Sequence, residues 1–186
     1  MKKKPVMIGI LITTIILIFL NYVLTRDLHF EEEVLIEKNI DEVWEVLGNQ
    51  FTEVHLWSAN FKSSNPGGEP KLLGLDYLHR ETMTEKGENF QELDNFDPAN
   101  YSLSYHVSKG APKIAKSALG EWKLTKTEDN QTRMNVHFIL ETKGLLGFIL
   151  SPVISKKIAQ ASAEITEELK YYVENGQPHP RKLAAQ

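Results

Sequence analysis

The chain has 186 residues, 41% of them hydrophobic and 25% charged, with a net charge of −4 and no cysteine. That length suits one domain with a single core, and the composition is that of a folded chain and not of a disordered one. Disulfides, thiol nucleophiles and thiolate metal sites are excluded.

Residues 6–24, VMIGILITTIILIFLNYVL, carry no charge, and 19 residues at about 1.5 Å each approach the ~30 Å of a bilayer core. An uncleaved transmembrane anchor is expected here. The alternative is a cleaved signal, whose apolar core runs ~7 to 15 residues and ends at small residues; the exit NYVLTRD has none. Lys2, Lys3 and Lys4 precede the span, whereas Arg26, Asp27, Glu31, Glu32 and Glu33 follow it, so the basic residues sit almost wholly on the N-terminal side. This asymmetry predicts a single-pass membrane protein with a cytoplasmic N-terminus and an extracytoplasmic domain. Without those three lysines, 18 basic residues face 25 acidic ones. Such a surface repels phosphate backbones, so no nucleic-acid partner is expected.

A short tether over residues 25–30 is expected next. Residues 29–38 alternate, with Phe30, Val34 and Ile36 on one parity, and predict a first strand. The period then changes. Asn39 and Glu42 fit a capping box, and Ile40, Val43, Trp44 and Leu47 recur at helical spacing up to Gly48. A second short helix is predicted over residues 51–57.

Residues 59–142 read as about six antiparallel strands separated by turn chemistry, including NPGGEP at 65–70, EKGEN at 85–89 and KGAP at 109–112. Tyr101, Leu103, Tyr105 and Val107 share one face. So do Ala118, Gly120, Trp122 and Leu124, and then Met134, Val136, Phe138 and Leu140. One face of this sheet is predicted buried and the other wet. The segment LLGFILSPVISKKIAQASAEITEELKYYVENG predicts a long amphipathic helix with Ile158, Ala161, Ile165 and Leu169 on its stripe, Pro152 in its first turn and Gly176 at its end. The last residues, HPRKLAAQ, are expected to fray. The domain boundaries expected are an anchor and tether at 1–28, a ligand-binding domain at 29–176 and a tail at 177–186.

The order of these elements, with NIDEVWEVL, His55-Leu56-Trp57, FDPANYSLSYHVSKGAP, EWKLT and GLLGFILSPVISKK, resembles the START-like (SRPBCC) superfamily over roughly residues 30–175. Its polyketide cyclase/dehydrase and lipid-transport branch is the nearest. The resemblance implies an α+β helix-grip fold, with a curved antiparallel sheet of about seven strands wrapped around the long C-terminal helix and two short helices after the first strand. It also implies an internal cavity for a lipid, polyketide, sterol or similar hydrophobic molecule. No universal catalytic residue comes with it.

The six histidines show no metal-ligand spacing, so no metal and no cofactor are expected. In LLGLDYLHRETMT, Tyr77, His79 and Glu81 share a parity and could act as general acid and base if that face is inward. Equally, Leu72, Asp76, Leu78 and Arg80 could define the faces the other way. Trp57, Phe90, Tyr105, Trp122 and Phe138 are the expected ligand-binding residues, as large apolar groups of which Tyr and Trp carry a polar handle; plain core packing is the alternative for each. Three functions stay open: a membrane-anchored carrier of a hydrophobic small molecule such as a lipid, a cyclase or dehydratase on a polyketide-like substrate, and an interaction module without a cavity. The Ala159, Ala161 and Ala163 run argues for space beside the last helix.

Overall fold

The computed structural model describes residues 3–185. Lys2, which the charge asymmetry at the N-terminus uses, lies outside them. Helix α1 (Lys3–Val23) leads into strand β1 (Thr25–Ile36), then α2 (Ile40–Trp44), a π-helical turn Glu45–Asn49 and a 3-10 helix Phe51–Leu56. Strands β2 (Ser63–Gly67), β3 (His79–Thr84), β4 (Gly87–Asp97), β5 (Ser102–Lys109), β6 (Ala115–Lys126) and β7 (Thr132–Lys143) follow, then α3 (Gly144–Asn175) and α4 (Pro180–Ala184). The seven strands form one sheet in the order β1-β7-β6-β5-β4-β3-β2, with every neighbouring pair antiparallel. The sheet and the long helix agree with the expected helix-grip architecture.

Among the described residues no helix is long and apolar enough to cross a membrane. This corrects the expected transmembrane anchor at residues 6–24, and with it the single-pass location and the placement of N-terminus and domain on opposite sides. The physical reason lies in the last turn of α1, which belongs to the domain. Asn21 Oδ1 accepts from the Leu145 amide at 3.3 Å, the Leu24 carbonyl accepts from the Gly144 amide at 2.8 Å, and Thr25 already pairs with Lys143. Residues 6–20 remain free of these contacts, about 22 Å of helix against the ~30 Å of a bilayer core. The expected tether at 25–30 is the first half of β1, hydrogen-bonded along its length to β7.

The start of α2 follows its sequence signature. Asn39 Oδ1 accepts from the Glu42 amide at 3.0 Å while the Asn39 amide donates to Glu42 Oε2 at 3.4 Å, so two of the orphan donors at the helix start find partners. Ile40, Val43, Trp44 and Leu47 all turn into the core. The π-helical turn brings Gly48 against the Trp44 indole, where a side chain has no room.

Two breakers sit where sequence reasoning does not put them. Pro66, expected within a turn, lies in β2, which is the sheet edge, where a missing amide costs no ladder bond. Pro152 is not in the first turn of α3, which starts at Gly144. Pro152 has no amide to offer the Phe148 carbonyl four residues back, and the Ser151 hydroxyl donates there instead at 2.8 Å. Arg26 Nη1 in turn donates to Ser151 Oγ at 2.9 Å, which ties this turn to β1.

The core lies between the concave face of the sheet, α2 with the short helices after it, and the C-terminal half of α3. Leu103, Trp122, Leu124, Met134 and Val136 from the strands meet Ile165 and Leu169 from the helix. The first half of α3 is different, since Leu146, Ile149 and Val153 are exposed. The tail does not fray: α4 docks, burying Lys182, whose Nζ donates to the Phe61 carbonyl at 2.8 Å.

Candidate functional site

A cavity of 220 Å³ lies between the sheet and α3. Its floor is Tyr105 and Val107 of β5, Ala118 and Leu119 of β6, and Phe138 to Leu140 of β7; Ile158, Ala161, Ser162 and Ile165 of α3 cover it, and Asn60, Phe61 and Gln91 close one end. The space exists because α3 presents Ala161 and Ser162 where larger side chains would meet the sheet. Gly120, paired with Tyr105 across β5 and β6, leaves room for the Tyr105 ring: a Cβ there would stand 2.6 Å from Tyr105 Cζ.

The wall is apolar apart from one end. Gln91 and Tyr105 belong to a buried polar group centred on Arg80, which projects inward from β3 and is only 4% exposed. Arg80 Nε donates to Gln91 Oε1 at 2.6 Å and Nη1 to the Phe51 carbonyl at 2.8 Å. Its guanidinium lies 4.1 Å from the Phe51 ring centre, 5.3 Å from that of Tyr105 and 5.8 Å from that of Phe61. No carboxylate among the described residues comes within 4.0 Å of it. Burial pushes Arg80 down to about 10, against the opposing influence of Tyr105 and Tyr77, and it stays cationic at neutral pH. Burial also raises the Tyr105 hydroxyl, with Arg80 and Trp122 pulling the other way.

The structure separates the three acid/base candidates. Tyr77 enters the core from the loop before β3 and stacks on Phe51 at 6.3 Å, its hydroxyl buried without a hydrogen-bond partner. His79 and Glu81 lie on the outer face of β3, where His79 Nε2 meets Glu81 Oε1 at 3.1 Å beside Gly67. The inner parity of this strand belongs to Arg80 and Thr82. Tyr77, His79 and Glu81 therefore do not share a face.

Of the five aromatic candidates, Tyr105 and Phe138 line the cavity. Trp122 stands behind Phe138, edge to face at 5.6 Å, and Trp57 is a core residue whose indole N–H is buried without a partner. Phe90 is on the outer face, stacked on His79 at 5.1 Å with Lys109 Nζ 4.5 Å from its ring centre. Leu93 explains this: it holds the inner parity of β4 together with Gln91, which leaves Phe90 on the other side. Arg80, Gln91, Asn60, Phe61 and Ser162 escape sequence reasoning. The one signal for Arg80 is that it shares parity with Leu78.

Among the described residues no group of three or more His, Asp or Glu side chains could hold a metal. A groove on the other face of the sheet, with Glu31, Glu33, Glu121 and His137 in its lining, lies away from the cavity.

Tyr77 yields a stability prediction. Burial first, with Arg80 opposing and Asp76 adding, pushes its phenol up to about 12. Between the ordinary tyrosine value near ~10 and that value the unfolded chain loses this proton first, so the unfolded state binds fewer protons and stability falls as pH rises. Tyr77→Phe removes both the orphan hydroxyl and this loss. It is expected to match or exceed the parent by up to about 1 kcal/mol at pH 7, and to gain roughly 1 kcal/mol more at about pH 11, as read by urea denaturation.

A seven-stranded antiparallel sheet gripping a C-terminal helix over an apolar cavity is a helix-grip domain, and solved structures that share this fold include a START superfamily protein. No family model and no curated protein matches the sequence. A START superfamily protein from Mycobacterium smegmatis superposes with a TM-score of 0.65 at 12% identity, covering 81% of this chain and 99% of that one. A point mutant of norcoclaurine synthase from Thalictrum, in complex with a transition-state analogue, gives 0.63 at 12% identity over 81% and 96% of the two chains. Ara h 8.0201 gives 0.56 at 19% identity over 80% and 98%. At these identities the likeness shows the fold alone.

Proposed function

We propose that this domain binds a compact hydrophobic small molecule in the cleft between the sheet and α3. The observation that carries this reading is the cleft itself, with Phe138, Leu140, Ile158 and Ile165 facing an unfilled space that only Asn60, Gln91, Tyr105 and Ser162 make polar. Ligand sites are of this make, mostly apolar with a few placed polar groups. At 220 Å³ the space is smaller than the ~300 to 1,000 Å³ usual for drug-sized ligands, which favours a small molecule or one arm of a larger lipid. START-like neighbours with the same architecture support the reading. The binding unit is residues 29–176, with α4 closing the loop that carries Asn60 and Phe61, and Tyr105 and Phe138 make the main aromatic contacts.

A carrier is favoured over a cyclase or dehydratase because, among the described residues, no Asp, Glu, His or Lys lines the cavity. The experiment is uptake of Nile red by the full chain, followed by fluorescence, beside the Ala161→Phe variant. Bright, saturable binding that the variant loses is the expected result, since phenylalanine fills the cleft while leaving the exposed apolar surface of α1 unchanged. Equal uptake by both proteins would place the probe elsewhere and overturn the reading.

A further inference from the structure

The charge of Arg80 is unbalanced by anything around it. A guanidinium taken out of water normally meets a carboxylate, because its hydration is lost and only a nearby opposite charge replaces it. Arg80 has instead an amide oxygen, a backbone carbonyl, the nearby Tyr105 hydroxyl and three aromatic rings. Gln91, the Phe51 carbonyl and the Tyr105 hydroxyl engage part of its five N–H donors and leave others for a further acceptor. Three of the side chains that surround it, Phe61, Gln91 and Tyr105, are also cavity wall, so the guanidinium stands at the polar end of the cleft. A second, independent feature lies in the same wall. Ser162 of α3 is 2% exposed and its hydroxyl has no hydrogen-bond partner among the described residues, so the wall holds an unused polar group in addition to the cation behind it.

The other buried cation nearby, Lys182, donates to the Phe61 carbonyl, and its charge, disfavoured by burial, is supported by the Glu168 carboxylate. Among the described residues Arg80 is thus the buried cation at this end without a carboxylate partner; it stands directly behind Phe61, Gln91 and Tyr105 of the wall, and one negative charge in the cleft would balance it.

We propose that the ligand is a compact amphiphilic carboxylic acid, bound as its monoanion with the carboxylate toward Arg80, Gln91 and Tyr105 and the apolar part against Phe138, Leu140, Ile158 and Ile165. This rests on the cleft being a hydrophobic ligand site and adds the chemical class of its occupant. A planar carboxylate matches the fork of a guanidinium, and the surrounding rings keep water from screening the pair. Arg80 then positions the head group, and the length of the cleft selects the tail.

The test is calorimetric titration of the full chain with octanoate and with octan-1-ol, which share the apolar chain and differ in the head group, repeated on Arg80→Met and Arg80→Lys. The parent is expected to prefer the acid by about tenfold or more, a difference typical of one charge-assisted contact. Arg80→Met should lose that preference while still binding the alcohol, and Arg80→Lys should keep part of it. A parent that binds alcohol and acid alike overturns the acid inference and leaves the hydrophobic site standing; so does a preference that survives Arg80→Met. Binding of neither probe by the parent overturns both. Should Arg80→Met fail to fold, the comparison of the two probes on the parent, with Arg80→Lys beside it, still decides the matter.

Discussion

Removal of residues 177–186 is expected to lower the stability of the domain by about 3 kcal/mol, read as a lower urea midpoint at unchanged slope. The reason is Glu168, which is fully buried on α3. Its carboxylate accepts from the Ala59 amide at 2.9 Å and from Arg181 Nη1 at 3.0 Å, and Lys182, also of α4, adds a second cation near it. Cutting away α4 leaves an uncompensated buried charge, which costs far more than the net worth of an exposed ion pair. It also strips Lys182 from the Phe61 carbonyl, so of its two fastenings the segment that closes the cavity keeps only the bond from the Ala59 amide to Glu168.

Glu168→Gln separates the two contributions, since an amide oxygen still accepts from Ala59 while needing no counter-charge. In that background the same deletion is expected to cost clearly less, and equal costs would rule out the charge as the cause. Arg181 also donates to Glu167 at 2.7 Å and holds that carboxylate below its ordinary range. A depressed carboxylate stabilises the fold above its unfolded value and ceases to as pH falls through the folded one. The deletion should therefore cost less in acid than at neutral pH.

Gly120→Ala is expected to cost about 1 to 3 kcal/mol and to abolish most probe uptake. The added Cβ would stand 2.6 Å from Tyr105 Cζ and 2.8 Å from its hydroxyl oxygen, closer than real carbon contacts. The backbone of Gly120 is held between β5 and β7, opposite Tyr105 and Phe138, so the ring and not the strand must yield. A displaced Tyr105 has the cleft on one side and Arg80 on the other, and either movement disturbs the site. Tyr105→Leu removes the ring tip that clashes, so the double variant should be more stable than the sum of the single losses predicts, with a coupling of about 1 kcal/mol. Strict additivity in urea denaturation would show that the glycine is needed for some other reason.

Much of the fold is legible in the chain itself. Strands β5, β6 and β7 read correctly because large apolar side chains recur at every second position, and period 2 assigns them one face whatever their partners. The start of α2 reads as well, because a capping box is made by residues three apart and needs nothing distant. For the same reason Tyr105 and Phe138 could be named as cavity candidates.

Strand β3 is the opposite case. HRETMT carries no apolar alternation, so nothing local says which parity faces in. Pairing with β4 decides it: Leu93 is anchored in the core, Gln91 shares its parity, and Gln91 lies opposite Arg80. That register turns Arg80 inward, puts His79 and Glu81 outside and carries Phe90 out with them. A buried arginine cannot be foreseen from composition, since the residue type is normally solvated and is paired when it is not.

The sequence by itself determined the order of elements, the inner faces of the last strands and the stripe of α3, all of which follow from short-range periodicity. The tertiary structure alone decided that Arg80 faces the core, that the last turn of α1 belongs to the domain and that α4 docks on α3 and on the segment that carries Phe61. Each of these depends on partners that are remote in the chain: Phe51 for Arg80, Gly144 and Leu145 for α1, Glu168 and Phe61 for α4. Periodicity carries no information about such contacts, because it reports which side of an element is apolar and not what meets it.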